Sequence, residues 1–373
     1  MPTTESGIAA QDVDKAINSL INGMVNIKDE TGEFLLKLED GRVIDTKGWA
    51  GWEWTHGVGL YGLWKYHTLT GSSEAFTIIE DWFRARFAEG GTTKNINTVA
   101  SMLTLAYAYE KTGNQTYIPW LESWAEWAMY GLPRTKFGGM SHMTYNSLNS
   151  QELWDDTLMM TVLPLAKIGK LLNRPHYVEE AKRQFLLHIQ YLFDTKTGLF
   201  FHGWTFAEGG HNFAKALWAR GNSWLTIVIP EILELLDLPA NDSFRIHLIN
   251  VLEAQCSALL QYQEEGGLWR TLIDQPIDEG SYLESSATAG FAYGMLKGLR
   301  LRYIEGEEYR KSATRAIKAV LGKVSPEGEL LDTSFGTAMG HTLQHYKDID
   351  ITSMPYGQAM AIMALGEFLR VFI

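Results

Sequence analysis

The chain has 373 residues, 46% of them hydrophobic and 20% charged, a balance that is typical of globular proteins and excludes an intrinsically disordered chain. Asp and Glu (44) outnumber Lys and Arg (32), and the net charge of −12 argues against a nucleic-acid partner. The single cysteine, Cys256, excludes an intrachain disulfide and any metal site made of several cysteines. No apolar run has transmembrane length, and residues 1–14 lack the order of a signal peptide, so we expect a cytoplasmic protein that binds no membrane.

A helical pattern repeats along the chain: an apolar helix ends at a turn, and a second helix follows. An opening helix is predicted over residues 11–27 and a closing helix over residues 357–371. The helix pairs predicted between them are 60–70 with 74–87, 101–112 with 117–130, 158–172 with 177–193, 224–236 with 243–262, and 287–303 with 309–324. After the second helix of several pairs, a glycine precedes apolar residues, as in residues 198–201, which predicts a turn and a short ribbon or a plug into the core.

Six helical hairpins form either an open solenoid or a closed ring. A solenoid needs polar units at both ends, whereas the closing helix is strongly apolar and is expected to pack against the opening helix. The first helices of the pairs are apolar on nearly every face, which an inner ring requires. We therefore predict an all-α fold, an (α/α)6 barrel formed by a single domain over residues 1–373, with the loops between hairpins on one rim.

Polar and aromatic residues collect in these loops and at the helix starts that follow them, so a barrel would gather them into one pocket. The candidate binding residues are Trp54, His56, Asn97, His142, Trp154, His202, Trp218, Arg220, Glu284 and His341. Aromatic walls suit sugar rings, and one arginine can hold a carboxylate through two hydrogen bonds. The pattern favours a sugar that carries a carboxylate.

Structural alternatives exist for each feature. Asn97, Asp155 and Ser285 are of the types that cap helices, Arg220 could form an internal ion pair, and each Trp could belong to the core. If Asp155 and Asp156 lay on a helix, their side chains would diverge, so we expect one in the pocket and the other as a cap. The histidines have no metal-ligand spacing, and we predict neither a metal nor a cofactor.

Several segments, taken in order, resemble the unsaturated rhamnogalacturonyl hydrolases, glycoside hydrolase family 105. These segments are residues 154–160 (WDDTLMM), 199–204 (LFFHGW), 213–224 and 283–286 (LESS), and the resemblance extends from about Trp52 to about Gln358. The resemblance implies an (α/α)6 barrel that removes the unsaturated uronic acid left by polysaccharide lyases. It also implies that Asp156 is the catalytic carboxyl and that His202, Trp218 and Arg220 hold the sugar.

In this family the acid protonates C4 of the C4=C5 double bond, water adds at C5, and the resulting hemiketal opens and releases the second sugar. One carboxyl can act as acid and then as base, and we expect a desolvated place beside Trp154 and near the substrate's own carboxylate to raise the pKa of Asp156. The sequence departs from the family at Asn97, where relatives carry an aspartate, and around His56. The second sugar stays open: rhamnose, another uronate or a hexosamine.

Two other functions compete with this hydrolase. A sugar epimerase on the same barrel would use paired histidines as acid and base. A helical-repeat interaction protein would expose a long groove instead of gathering Trp, His and Asp at one rim.

Overall fold

The computed structural model describes residues 7–372, and these residues fold mainly into helices. The helices are α1 (Ala10–Asn26), α2 (Trp54–Thr70), α3 (Ser73–Ala88), α4 (Ser101–Thr112), α5 (Ile118–Glu126), α6 (Leu163–Leu171), α7 (Pro175–Leu192), α8 (Ala219–Leu236), α9 (Ser243–Tyr262), α10 (Ser285–Arg300), α11 (Glu307–Leu321), α12 (Leu343–Lys347) and α13 (Pro355–Phe372). A 3₁₀ turn (Thr98–Ala100) precedes α4, and π-helical turns follow α5 (Trp127–Gly131) and precede α6 (Leu158–Val162).

The helices form two concentric rings. In the inner ring α2, α4, α6, α8, α10 and α13 pack side by side in that order, and α13 returns to pack against α2. Each inner helix has an outer partner, α3, α5, α7, α9, α11 and, for α13, the opening helix α1. The predicted (α/α)6 barrel is confirmed. The opening helix covers the closing one as expected, although the ring itself closes between α13 and α2.

The sequence of each helix matches its place in the rings. Outer helix α1 buries one stripe, Val13, Ile17, Leu20 and Met24, at helical spacing. Inner helix α2 is buried on almost every side, and a Cβ at Gly62 would lie 2.9 Å from that of Ala359, so glycine permits the close approach of α2 and α13. None of the helices within residues 7–372 combines the length and the apolarity that a membrane span requires.

Two inner helices begin earlier than the apolar pattern predicts. Helix α2 begins at Trp54 and α8 at Ala219, because their first turns carry polar and aromatic residues that apolar periodicity misses. The first turn of α2 therefore holds Trp54 and His56, and that of α8 holds Arg220.

Short antiparallel ribbons connect the hairpins. They are β1 (Leu35–Lys37) with β2 (Val43–Asp45), β3 (Glu152–Trp154) with β6 (Gly203–Thr205), β4 (Phe193–Asp194) with β5 (Leu199–Phe200), and β7 (Trp269–Arg270) with β8 (Leu283–Glu284). Strand β3 pairs with β6 so that Trp154 lies opposite Gly203, and the N–H of Asp155 then donates to the carbonyl oxygen of His202 (3.0 Å). This ribbon brings two distant polar segments together.

The inner helices also carry a buried ionic cluster. Glu231 on α8 accepts hydrogen bonds from Tyr61 (2.7 Å) and Lys65 (2.9 Å) on α2, and Lys297 on α10 lies 2.8 Å from its other oxygen. The hydroxyl of Tyr293 also donates to Glu231. Because the Glu231 carboxylate is fully paired, we assign it a structural role and look for the functional site at the opposite ends of the inner helices.

Candidate active site

A cavity of about 410 Å³ lies at the end of the barrel where the inner helices begin. This size lies within the range of small-molecule sites. Sequence-predicted residues that line it are Trp54, Asn97, His142, Trp154, Asp156, Trp218, Arg220 and His341. The barrel thus gathers these polar and aromatic side chains into one pocket.

Asp155 is the turn residue after β3, and Asp156 begins the short helical segment that leads into the π-helical turn before α6. The indole N–H of Trp224 donates to Oδ1 of Asp156 (3.0 Å), and Nε2 of His202 faces Oδ2 of Asp156 at 3.3 Å. The Asp156 side chain is 14% exposed, so it can meet a ligand in the cavity while its neighbours hold it in place. π-Helical turns are frequent at functional sites, and this one fixes the start of α6 beside the carboxyl.

His202 does not line the cavity but lies directly behind Asp156, with its ring 4.4 Å from that of Trp218. Its Nδ1 is 2.7 Å from the hydroxyl of Tyr346, and that oxygen also accepts the N–H of Gly340 (3.1 Å). We assign the tautomer in which Tyr346 donates to Nδ1 and Nε2 carries the hydrogen next to Asp156, because a carboxylate needs a donor. Tyr346 thus holds His202 behind Asp156, at an ion-pair distance of 3.3 Å that lacks the geometry of a well-formed hydrogen bond.

The electrostatics of Asp156 differ from the sequence-based expectation. Burial favours a higher pKa, but the contact with His202 and the nearby His142 outweigh it and hold the pKa of Asp156 below its ordinary value. Burial also lowers the pKa of His202, in part against the attraction of Asp156. The predicted raised pKa of Asp156 is wrong for the free protein, because the prediction omitted the donors around the carboxyl.

Asp155 also differs from expectation. It is fully buried on the turn just before Asp156 and does not diverge from its neighbour, since ligand atoms of Asp155, Asp156 and His202 all lie within 4.8 Å of one another. Burial, followed by the proximity of Asp156, raises the pKa of Asp155 well above its ordinary value. As predicted, only one of the two carboxyls lines the cavity, but the other does not cap a helix.

Arg220 is a buried cation that faces the cavity and is 1% exposed. Its guanidinium donates to the carbonyl oxygens of Ser334 (2.7 Å) and Phe335 (2.8 Å) and to the Ser334 hydroxyl, and its Nε has no hydrogen-bond partner within residues 7–372. It also stacks over the rings of Trp218 (4.5 Å) and Tyr356 (5.1 Å). These bonds replace the internal ion pair considered from the sequence, and they leave the positive charge available to an anion.

Aromatic rings form the walls. The rings of His142 and Trp154 stack at 4.2 Å, and Nδ1 of His142 contacts the hydroxyl of Thr157 (2.9 Å). Burial lowers the pKa of His142 to about 3, so this side chain is neutral near pH 7. Trp54 stacks on Tyr356 at 4.4 Å. Flat rings and neutral polar groups of this kind suit a sugar.

Besides His202, two predicted binding residues, His56 and Glu284, lie outside the cavity lining. Because α2 begins at Trp54, His56 lies in its first turn, where its Nδ1 accepts the N–H of Glu53 (3.1 Å) and its Nε2 contacts the carbonyl oxygen of Gly48 (2.8 Å). Glu284 caps α10 and accepts the backbone N–H groups of Ala287 (2.5 Å) and residue 334 (2.9 Å). Both side chains hold the rim together, so we do not propose sugar contacts for them.

The capping residues differ from those considered from the sequence. Asn95, rather than Asn97, accepts the N–H of Thr98 (3.0 Å) at the start of the 3₁₀ turn. Glu284, rather than Ser285, caps α10. The amide of Asn97 is instead hydrogen-bonded to Glu53, a buried carboxyl of the cavity wall that also accepts the N–H of Trp54 (2.8 Å).

Sequence reasoning missed three residues of the site. Trp224 follows Arg220 by four residues, so the helical spacing could have placed both on one face of α8. Glu53 immediately precedes an inner helix, where a side chain can cap, but this position alone does not indicate a cavity carboxyl. Tyr346 lies 144 residues from His202 and carried no local signal.

Glu53→Gln is expected to change how stability depends on pH. Burial raises the pKa of Glu53 from 4.5 to about 7, against the hydrogen bonds from Trp54 and Asn97. Between these values the folded protein binds the extra proton, so this carboxyl makes the free energy of unfolding fall as pH rises. Gln keeps an acceptor for Trp54, and its Tm advantage over the wild type should grow as pH rises through this window. Thermal melts across the window check this, and a pH-independent difference would contradict it.

The fold and cavity define a helical barrel whose pocket holds Asp156 between Trp224 and His202, with the carboxyls of Glu53 and Glu152 also in its lining, and such a pocket can perform acid–base chemistry on a small polar ligand. The sequence profile of Glycosyl Hydrolase Family 88 matches residues 26–372, and the chain belongs to this family. The predicted relationship to the unsaturated uronyl hydrolases is confirmed, and the protein is a glycoside hydrolase. This membership argues against the epimerase and the interaction protein.

Individual relatives agree with this assignment. The unsaturated rhamnogalacturonyl hydrolase YesR of Bacillus subtilis (strain 168) is 30% identical over 323 residues, which cover 86% of this chain and 90% of YesR. A crystal structure of a possible GH105 member from Salmonella enterica serovar Paratyphi A matches with a TM-score of 0.97 and 62% identity, over 100% of this chain and 97% of that one. A possible GH105 member from Klebsiella pneumoniae matches with a TM-score of 0.95 and 61% identity, over 100% and 96%.

Proposed function

We propose that the protein removes a C4=C5 unsaturated uronic acid from the non-reducing end of disaccharides or short oligosaccharides. The observation that carries this proposal is the placement, in one cavity, of Asp156, which Trp224 and His202 hold in place, with a buried arginine that no carboxylate neutralises within residues 7–372. The names of relatives such as YesR support it.

The substrate's carboxylate would bind the guanidinium of Arg220, whose Nε has no other partner. This local charge counteracts the net charge of −12, and the helix N-termini around the cavity favour an anion too. The unsaturated ring is flattened at C4 and C5 and suits the walls formed by Trp54, Trp154 and Trp218. Neutral His142 and Asn97 would bind its hydroxyl groups.

Asp156 then protonates C4, and water adds at C5. The carboxylate of Asp156 takes the proton released by that water, so one side chain serves as acid and then as base. The resulting hemiketal opens and expels the second sugar. A substrate carboxylate next to Asp156 would favour its protonated form, while His202 and Trp224 keep it oriented.

Lyase-generated disaccharides from rhamnogalacturonan, ulvan and glycosaminoglycans provide the test. The ultraviolet absorbance of the conjugated C4=C5 carboxylate should disappear with at least one of them, at the same rate as the second sugar is released. Folded protein that leaves the absorbance of every disaccharide unchanged would contradict the proposal.

The proposed reaction needs neither metal nor cofactor, so a chelator should not slow it. We place it in the cytosol, supported by the single, buried Cys256. Lyase products that reach this compartment are the proposed substrates.

A further inference from the structure

The Asp155 carboxyl lacks the partners that a buried charge requires. It is 0% exposed, neither of its oxygens accepts a well-formed hydrogen bond within residues 7–372, and its closest polar contacts are the side chain and backbone of Asp156. The turn is packed tightly around it, since a Cβ on Gly221 would lie 2.2 Å from its Oδ2. An ionised carboxylate without donors is strongly disfavoured in such a place, so this group holds a proton.

Asp156 has the opposite surroundings. Trp224 donates to its Oδ1, and Nε2 of His202 faces its Oδ2, so the free protein favours the ionised form of Asp156. The proposed reaction nevertheless begins with a proton leaving Asp156 for C4. That proton therefore has to reach Asp156 from another group.

We propose that Asp155 and Asp156 act as a pair that holds one proton, and that Asp155 stores this proton for Asp156. The inference rests on the proposed function and makes Asp155 a positioning residue, because it touches Asp156 and not the substrate. The carboxyl of Asp155 is close enough for this role, because a carboxyl oxygen of Asp155 lies within 4.8 Å of one of Asp156.

The proton balance closes over one turnover. The O–H proton of Asp155 passes to the Asp156 carboxylate, which then gives it to C4 of the substrate. The water that adds its oxygen to C5 returns one proton to Asp156, and that proton passes back to Asp155. The substrate gains one water, and the pair ends with its single proton on Asp155.

A cation bound by Asp155, Asp156 and His202 is the rival interpretation of the same cluster. The assigned tautomer argues against it, since Nε2 carries a hydrogen and Nδ1 accepts from Tyr346. The charge of Arg220 also acts on Asp155 and repels a second cation. The titratable and charged groups around the pair are His142, His202, Arg220 and Tyr346.

Asp155→Asn tests the proposal through the pH profile of kcat/KM on a disaccharide that the wild type cleaves. Asn has the shape of the Asp155 side chain but cannot exchange a proton with Asp156. The protonation of Asp156 alone then determines how kcat/KM depends on pH. We expect activity at pH 7 to fall about tenfold or more and to recover in part at lower pH, with the optimum shifted by about one unit or more. An unchanged profile, or an equal loss at all pH values, would overturn the proposal.

Infrared spectroscopy supplies a readout that is independent of turnover, and its first half, the band in Glu53→Gln, does not depend on the folding of Asp155→Asn. Near pH 7 a C=O band of a protonated, buried carboxyl should be present in the Glu53→Gln protein and absent when Asp155→Asn is added. The Glu53→Gln background is needed because Glu53 also carries a proton near this pH. Absence of the band from Glu53→Gln itself would overturn the proposal that Asp155 stores a proton. So would a wild-type activity that a chelator abolishes and Mg²⁺ or Zn²⁺ restores. A wild type that cleaves no disaccharide while the band is present instead contradicts the proposed function.

Discussion

Asp156→Asn is expected to lower kcat/KM on the unsaturated disaccharide by about 10³-fold or more, since general acid–base catalysis contributes roughly 10² to 10⁴ and this residue serves in both steps. Asn retains an oxygen that can accept from Trp224, so the contact that orients position 156 survives. What the variant loses is the proton for C4 and the base for the water. The rate at which ultraviolet absorbance is lost, measured at saturating and at limiting substrate concentrations, gives kcat and kcat/KM for the variant and the wild type.

The control for Asp156→Asn is Asp332→Asn. Asp332 lies outside the cavity lining, is paired with Lys323 (2.6 Å) and has a φ of 55°, which Asn tolerates well. Both variants should melt within a few degrees of the wild type, and only Asp156→Asn should lose activity. Near-normal turnover by folded Asp156→Asn protein would remove the carboxyl from the mechanism.

Arg220→Lys is expected to lower kcat/KM by about 10²-fold, mainly through a higher KM. Hydrogen bonds to charged groups contribute roughly 1.5–3 kcal/mol each, and a lysine cannot offer the planar pair of donors that binds a carboxylate. The substitution also weakens the bonds to the carbonyl oxygens of Ser334 and Phe335, which fix the loop next to the cavity. Steady-state kinetics measure the combined effect.

A methyl ester of the substrate's carboxylate separates the two contributions of Arg220. The ester has no anion to pair with, so the wild type should bind it weakly, and Arg220→Lys should lower its kcat/KM far less than that of the acid. Equal losses on acid and ester would mean that Arg220 only holds the loop.

The architecture could be predicted from sequence because helical period and apolarity are local properties. The inner helices are apolar all round, whereas α1 carries a single apolar stripe. The early starts of α2 and α8 could not be predicted in the same way, since their first turns face a cavity and follow no apolar pattern. The pairing of β3 with β6 could not be predicted from local sequence either, because tertiary contacts determine it.

The site was only partly predictable, for a similar reason. The resemblance pointed to Asp156, His202, Trp218 and Arg220, but the pKa of Asp156 depends on the direction of neighbouring donors. Trp224 and the Tyr346 hydroxyl behind His202 decide that direction, and both are set by the three-dimensional fold. The prediction for Asp155 was wrong because it expected this side chain to cap the helix and to diverge from that of Asp156, whereas it is buried beside Asp156 and caps nothing.

The central claim is that this enzyme hydrates the C4=C5 bond instead of displacing the second sugar at the anomeric carbon. Nuclear magnetic resonance of the first turnovers in D₂O, on a disaccharide that the wild type cleaves, tests this most directly. Hydration of the double bond predicts that each released sugar is matched by loss of the C4 vinyl proton signal and by one deuteron added at C4. Release of the second sugar with the C4=C5 bond still intact in the uronic acid would contradict it.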